Sequence, residues 1–344
     1  MFENASRTEI SSLGEFRLID HLTKNITLRN NTLKGVGDDA AVIEHEGGTC
    51  TVVSTDMLVE GVHFDLSYFP LKHLGYKAIT VNLSDIYAMN AKPKQVTVSI
   101  ALSSKFSLEA VEELYEGIYL ACDRYHIDLV GGDTTTSKHG LTLSITAIGE
   151  AQKEDIVYRS GAKANEILVV SGDLGGAYAG YQLLEREKRV YLDNPNAQPD
   201  LSGFDYILER QLKPEARKDV IDILKNLGIK PTSMIDVSDG LASECFHLAS
   251  QSALGITLYE EKIPIDPTTY NFARELDIDP TLCALSGGED YELLFTIKQE
   301  DVSKIEFHPD FSMIGHMTDL ASGHKMVSKS GNVHDLKAQG WTAF

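Results

Sequence analysis

The spacing of apolar residues changes repeatedly along the chain, and each change outlines an element. "TCTVVSTD" (49–56) alternates and predicts a strand ending in a polar tip. "HLGYKAITVNLSDIYAMN" (73–90) sets Leu74, Ala78, Val81, Ile86 and Met89 at helical spacing. "QVTVSIAL" (95–102) returns to a strand pattern. "SLEAVEELYEGIYLACDRY" (107–125) gives the clearest helix. Ser107 offers a cap, Glu109 suits the positive end, and Leu108, Val111, Leu114, Ile118 and Cys122 form a stripe. "HIDLVGGDTTT" (126–136) reads as a short strand running into a Gly-rich polar loop, and "GLTLSITAIGE" (140–150) as another strand.

A second round begins near residue 156. "EILVVSG" (166–172) is a strand, and "DLGGAYAGYQLLERE" is a loop opening a helix. "YLDNPNAQPDLSG" (191–203) is a long polar loop. "KPEARKDVIDILKNLG" (213–228) predicts a helix with Pro214 near its start and Gly228 beyond its end. "SMIDVSDG" (233–240) is a strand with a polar tip, and "LASECFHLASQSA" is the helix after it. "GITLYEE", "YELLFTIK", "FSMIGHMT" and "HKMVSKS" are further strands. Two rounds of mixed elements predict an α/β (α+β) chain of two domains, 1–155 and 156–344.

Composition narrows the function. With 31 Lys and Arg against 51 Asp and Glu, the formal charge of −20 disfavours nonspecific contact with nucleic acid or an anionic membrane. An anionic substrate then needs local neutralisation. The four cysteines are far apart and form no C-x-x-C, so neither a zinc site nor a disulfide framework is expected. Cys50, Cys122 and Cys245 sit in apolar stretches as small core residues. No signal-peptide pattern opens the chain and no run reaches membrane-span length, so a cytoplasmic protein is expected.

The informative carboxylates stand at element ends. Five such places carry Asp beside Gly, Ser or Thr: "GVGDDAAV", "STDMLVEGVHF", "NLSDIYAMN", "LVGGDTTT" and "IDVSDGL". Ends of strands and the loops after them are where α/β folds converge on a ligand. Carboxylates and hydroxyls without paired His or Cys suit Mg²⁺, which bridges protein oxygens to phosphates. Five Asx-turns and caps would leave the same trace. Other phosphate motifs are absent or weak. There is no P-loop, no H-R-D or D-F-G, and no G-x-S-x-G. "GVGDDA" fits G-x-G-x-x-A, but it opens no clear helix and its two Asp would repel a pyrophosphate. The N–H groups of "SGDLGGAYAG" (171–180) could take an anion, and a tight turn accounts for them equally.

These segments, with "YKAITVNLSDIYAMNAKP", "RSGAK" and "ALSGGEDYELLFTI", stand in an order that resembles bacterial thiamine-monophosphate kinases. Those enzymes belong to the aminoimidazole-ribonucleotide synthetase-like superfamily, and the resemblance spans residues 13 to 344. It implies an N-terminal domain (1–155) that binds metal and ATP and whose sheet forms a barrel across a homodimer. It also implies a C-terminal α/β domain (156–344) that completes the site. The implied reaction is ATP-dependent phosphorylation of thiamine monophosphate to thiamine diphosphate by direct, Mg²⁺-assisted transfer.

Carried over by residue, the resemblance makes Asp39, Ser54, Thr55, Asp56, Asp85, Asp133, Asp236 and Asp239 metal ligands. It puts Tyr115, Gly132, Asp133, Arg159 and Ser238 at ATP, and His63, Glu289 and Trp341 at thiamine monophosphate. Asp56, Asp133 and Arg159 are the positions on which catalysis would depend most. Selenophosphate synthetases are a related alternative, but they carry a reactive Cys near the N-terminus, whereas the first cysteine here, Cys50, lies inside a strand pattern. A metal-dependent sensor and a phosphohydrolase are the rivals of other classes.

Overall fold

The computed structural model describes residue 10 and residues 13–337. The first half holds strands β1 (Thr32–Lys34), β2 (Ala41–Glu44), β3 (Thr49–Val59), β4 (Lys92–Leu102), β5 (Asp128–Thr136) and β6 (Thr142–Gln152). Its helices are α1 (Gly14–Thr23), α2 (Leu71–Ala88) and α3 (Leu108–Tyr125). The strands form one sheet in the order β1-β2-β3-β6-β4-β5, antiparallel except for the parallel pair β4 and β5. Among the described residues the sheet stays open, with β5 an exposed edge.

Helix α2 is the centre of the fold. Fourteen of its eighteen residues are buried, because it lies on β3, β4 and β6, packs along α3, and meets the second half. Its crossing with α3 is unusually close. A Cβ on Gly75 would stand 2.0 Å from the Leu114 carbonyl oxygen, and one on Gly117 would stand 1.8 Å from that of Lys72.

The second half holds β7 (Ile167–Ser171), β8 (Ser233–Asp236), β9 (Gly255–Tyr259), β10 (Leu293–Ile297), β11 (Phe311–Thr318), β12 (His324–Val327) and β13 (Val333–Asp335). They form a mostly antiparallel sheet in the order β13-β12-β9-β11-β7-β10-β8. Among the described residues seven helices accompany it: α4 (Gly176–Asp193), α5 (Asp205–Leu212), α6 (Lys218–Asn226), α7 (Leu241–Gln251), α8 (Pro267–Glu275), α9 (Pro280–Ser286) and α10 (Val302–Ile305). Both faces of the sheet are covered, which explains its near-continuous apolar strands. Leu168 and Val170 of β7 face α7, whereas Val169 between them packs with Val220 and Leu224 of α6. All four cysteines are buried and unpaired.

Three local expectations are corrected. The segment 126–136 is not a short strand with a loop, because β5 runs through "GGDTTT" in parallel register with β4. Gly132 permits this approach, since a Cβ there would meet the Val98 carbonyl oxygen at 1.7 Å. The helix expected from residue 213 starts at Lys218. Residues before it are held outside the helix: Tyr76 and Tyr125 donate to Glu215 at 2.6 Å, and the Ala216 N–H donates to Tyr125 at 2.8 Å. The polar loop begins later than expected, since α4 continues to Asp193. By contrast, α3 starts as expected, with Ser107 accepting from the Ala110 N–H at 3.3 Å.

Candidate active site

Four segments converge where α2 passes between the two sheets. The loop "GVGDD" brings Asp38 and Asp39, α2 brings Asn82, Ser84 and Asp85, and the end of β8 brings Asp236 to Asp239; Ser54 to Asp56 come from inside β3, which does not end at a polar tip as expected but stays paired with β6 as far as Val59. Period-two alternation puts Ser54 and Asp56 on one face of β3, towards α2. The Asn82 side-chain oxygen accepts from the Asp56 N–H at 3.0 Å. Ser54 donates to Asp85, and Ser84 donates to Asp236 at 2.5 Å.

The result is a tight carboxylate group. One oxygen each from Asp39, Asp85 and Asp236 lies within 4.8 Å of the others. Unit charges this close repel by roughly 4 kcal/mol per pair at an effective dielectric of ~20. Burial pushes Asp39 up to about 7, with neighbouring Asp236 adding to the rise and Arg159 opposing it. Asp85 is raised well above the carboxylate range by burial and by Asp56, Asp236 and Asp39. Burial lifts Asp236 and Asp239 to about 6 each, and also raises Asp56 at the open side of the cluster.

The adjacent pair in "GVGDD" divides two tasks. Asp38 is structural: its buried side chain pairs with Lys34 at 3.1 Å and accepts from the Arg159 N–H at 3.0 Å. Asp39 points into the cluster. Its Oδ1 takes the Arg159 guanidinium at 2.7 and 3.2 Å, while its Oδ2 is buried without a hydrogen-bond partner among the described residues. A buried carboxylate oxygen with no donor, in an all-oxygen set, fits a hard cation. Arg159 therefore stands against a prospective metal ligand, where a phosphate could draw it away.

Beside the cluster lies a second group. His63 Nδ1 accepts from the Val59 N–H at 2.9 Å, so the proton of its neutral ring sits on Nε2. Burial lowers its pKa, Glu289 opposes the change, and Lys77 adds to it. Glu289 pairs with buried Lys77 at 3.1 Å, and its N–H donates to the Ser238 carbonyl at 2.7 Å. His63, Glu289 and Ser238 thus adjoin the acidic cluster.

Other expected residues are not brought there. The Thr55 hydroxyl lies on the opposite face of β3 and donates to the Ile145 carbonyl at 2.9 Å. Tyr115, Gly132 and Asp133 share a separate depression of about 440 Å³ against β5. The strand order puts Asp133 three strands from Asp56, roughly 14 Å at the usual inter-strand spacing. Trp341 lies outside the described residues. The N-terminus of α4 is filled from within, as the Asp290 carboxylate accepts from the N–H groups of Gly175 at 2.7 Å and Ala177 at 3.3 Å.

Sequence reading missed Lys77, Asn82 and Ser84, and with them Glu244, which accepts from the Asp239 N–H at 2.9 Å. The available signal was polar residues inside the apolar run of α2, with Ser84 two turns after Lys77.

Comparison with known proteins gives the family. Residues 37–151 match the model of the AIR synthase related protein, N-terminal domain. The thiamine-monophosphate kinase of Bacillus subtilis is 34% identical over 96% of this chain and 100% of its own length. The chain belongs to the thiamine-monophosphate kinase family. Another member, from Aquifex aeolicus, is 36% identical over 85% of this chain and 88% of its own. The solved structure of AaThiL complexed with AMPPCP and TMP superposes with a TM-score of 0.83, at 31% identity, over 99% of this chain and 100% of that one. The mixed α/β fold of the family is therefore the fold of this chain.

Proposed function

We propose that this chain transfers the γ-phosphoryl group of ATP to the phosphate of thiamine monophosphate, forming thiamine diphosphate and ADP in the cytoplasm. It is a kinase of thiamine diphosphate biosynthesis. The observation that carries the reading is the meeting of Asp39, Asp85 and Asp236 oxygens within 4.8 Å, in a chain of this family.

The cofactor is Mg²⁺, in several ions, for which Asp39, Ser54, Asp56, Asp85, Asp236 and Asp239 form the donor set. Held there, the ions would supply charge neutralisation and orientation to two phosphorylated molecules. The acceptor oxygen is already ionised near neutral pH, so the chain needs no general base. Its residues act by holding and positioning, as a loose phosphoryl-transfer transition state requires. Arg159 supplies a fixed cation beside Asp39, and Ser238 offers polar groups to ATP. His63 presents an Nε2–H donor, and Glu289 a carboxylate, to thiamine monophosphate.

Gly132 and Asp133 lie on the exposed edge strand β5, with Tyr115 of α3 lining the same depression, and a second copy would cover this edge. A homodimer is accordingly part of the proposal. Residues 1–155 form the metal-binding and dimerising domain, and 156–344 complete the site.

A coupled assay tests the reading. With ATP, Mg²⁺ and thiamine monophosphate, thiamine diphosphate and ADP should accumulate in equal amounts. Phosphate release without thiamine diphosphate would overturn it in favour of a phosphohydrolase.

A further inference from the structure

We propose that Lys77 and Gln211 are positioning residues that fix the Glu289 carboxylate for the cationic thiazolium ring of the substrate. This rests on the thiamine monophosphate reading above. Lys77 projects from α2 with its side chain only 1% exposed. Its ammonium lies 3.1 Å from Glu289 Oε1, donates to the Gln211 carbonyl at 3.0 Å, and stands 5.5 Å from the Phe69 ring centre. Gln211, at the end of α5 and also buried, donates its side-chain N–H to Glu289 Oε2 at 3.1 Å. Each carboxylate oxygen therefore has its own donor, one from each half of the chain.

Glu289 itself is not buried, since 31% of its side chain is exposed beside the acidic cluster. Its backbone is left-handed at φ 59°, as is that of Tyr291 at φ 52°. Non-glycine residues hold that conformation only where the surroundings fix it. A buried ammonium needs a paired anion, but stability alone does not require that anion to be half-open on a strained turn at the mouth of the site. The arrangement presents one carboxylate, at one angle, to a cation arriving from solvent.

Steady-state kinetics of the full chain test the assignment. Lys77→Met should raise the KM for thiamine monophosphate about tenfold, as expected when a hydrogen bond to a charged group is lost. The KM for ATP and kcat should stay within about twofold. The double variant Lys77→Met/Glu289→Gln should be no worse than the poorer single variant, because the two residues act as one unit. Gln211→Met, which leaves the ion pair in place, should raise the same KM by about threefold and serves if Lys77→Met does not fold. An unchanged KM for thiamine monophosphate in Gln211→Met, or a parallel rise of both KM values in Lys77→Met, would overturn the inference while the wild type remained active. A wild type that makes no thiamine diphosphate would remove the reading beneath it, and the inference with it.

Discussion

The N–H of Glu289 donates to the carbonyl of Ser238 at 2.7 Å. Two further bonds extend this contact, from the Tyr291 N–H to Val237 at 2.9 Å and from the Val237 N–H to Glu292 at 2.8 Å. The turn that carries Glu289 is thereby laced to the segment that carries Asp236 and Asp239. Gly288 lets the strands close, since a Cβ there would meet the Ser238 carbonyl oxygen at 2.5 Å. These bonds fix the two segments to each other at the edge of the acidic cluster.

Replacing a central carboxylate should separate stability from activity. Asp85 is raised by burial and by three neighbouring carboxylates, so its charge opposes folding when no cation is bound. Asp85→Asn should stabilise the protein in EDTA by roughly 1 kcal/mol or more, seen as a higher melting temperature. Its turnover should fall roughly a hundredfold or more, because a metal-assisted transfer loses a ligand. A variant that is less stable in EDTA would contradict the electrostatic account.

Stability should fall with rising pH in the absence of divalent cations. The folded pKa values of Asp39, Asp236 and Asp239, about 7, 6 and 6, all lie above the ordinary value of 3.8. Between those limits the folded chain binds more protons than the unfolded one, so stability is lost as pH climbs towards 7. Thermal melts in EDTA between pH 5 and about pH 8 should show this decline. Millimolar Mg²⁺ should raise the melting temperature more at the upper end than at the lower. A Mg²⁺ effect independent of pH would count against the cluster as its origin.

The α2–α3 crossing should tolerate no side chain at its glycines. Gly117→Ala forces a methyl to 1.8 Å from the Lys72 carbonyl oxygen, where only backbone movement can relieve it. A loss of about 3 kcal/mol is expected, measured as a lower urea midpoint. Because α2 also carries Lys77, Ser84 and Asp85, activity should drop in the fraction that remains folded. An unchanged midpoint would show that the helices sit further apart.

Much of this was legible in the chain because local rules and tertiary packing agree there. Ser107 and the stripe from Leu108 to Cys122 mark α3, and Asp beside Gly or Ser marks Asp39, Asp236 and Asp239 at element ends that converge, whereas Asp56 lies inside β3, Asp85 inside α2, and Asp133 elsewhere. Where packing overrides local chemistry, the reading failed. "GGDTTT" resembles a loop until β4 supplies a parallel partner, and residues 213–217 resemble a helix start until Tyr76 and Tyr125 hold Glu215. Lys77 was hidden in an apolar run because its partner, Glu289, lies more than two hundred residues away. Strand order is not written locally either, so nothing nearby in the sequence shows that Asp133 stands three strands from Asp56.

The central claim is that Asp39, Asp85 and Asp236 form a divalent-cation pocket. Anomalous diffraction from crystals grown with Mn²⁺ and a non-hydrolysable ATP analogue tests it most directly. The account predicts anomalous peaks within bonding distance of all three carboxylates, with the guanidinium of Arg159 turned from Asp39 towards a phosphate. Clear density for the analogue with no anomalous peak among these carboxylates, and Arg159 still paired with Asp39, would contradict it.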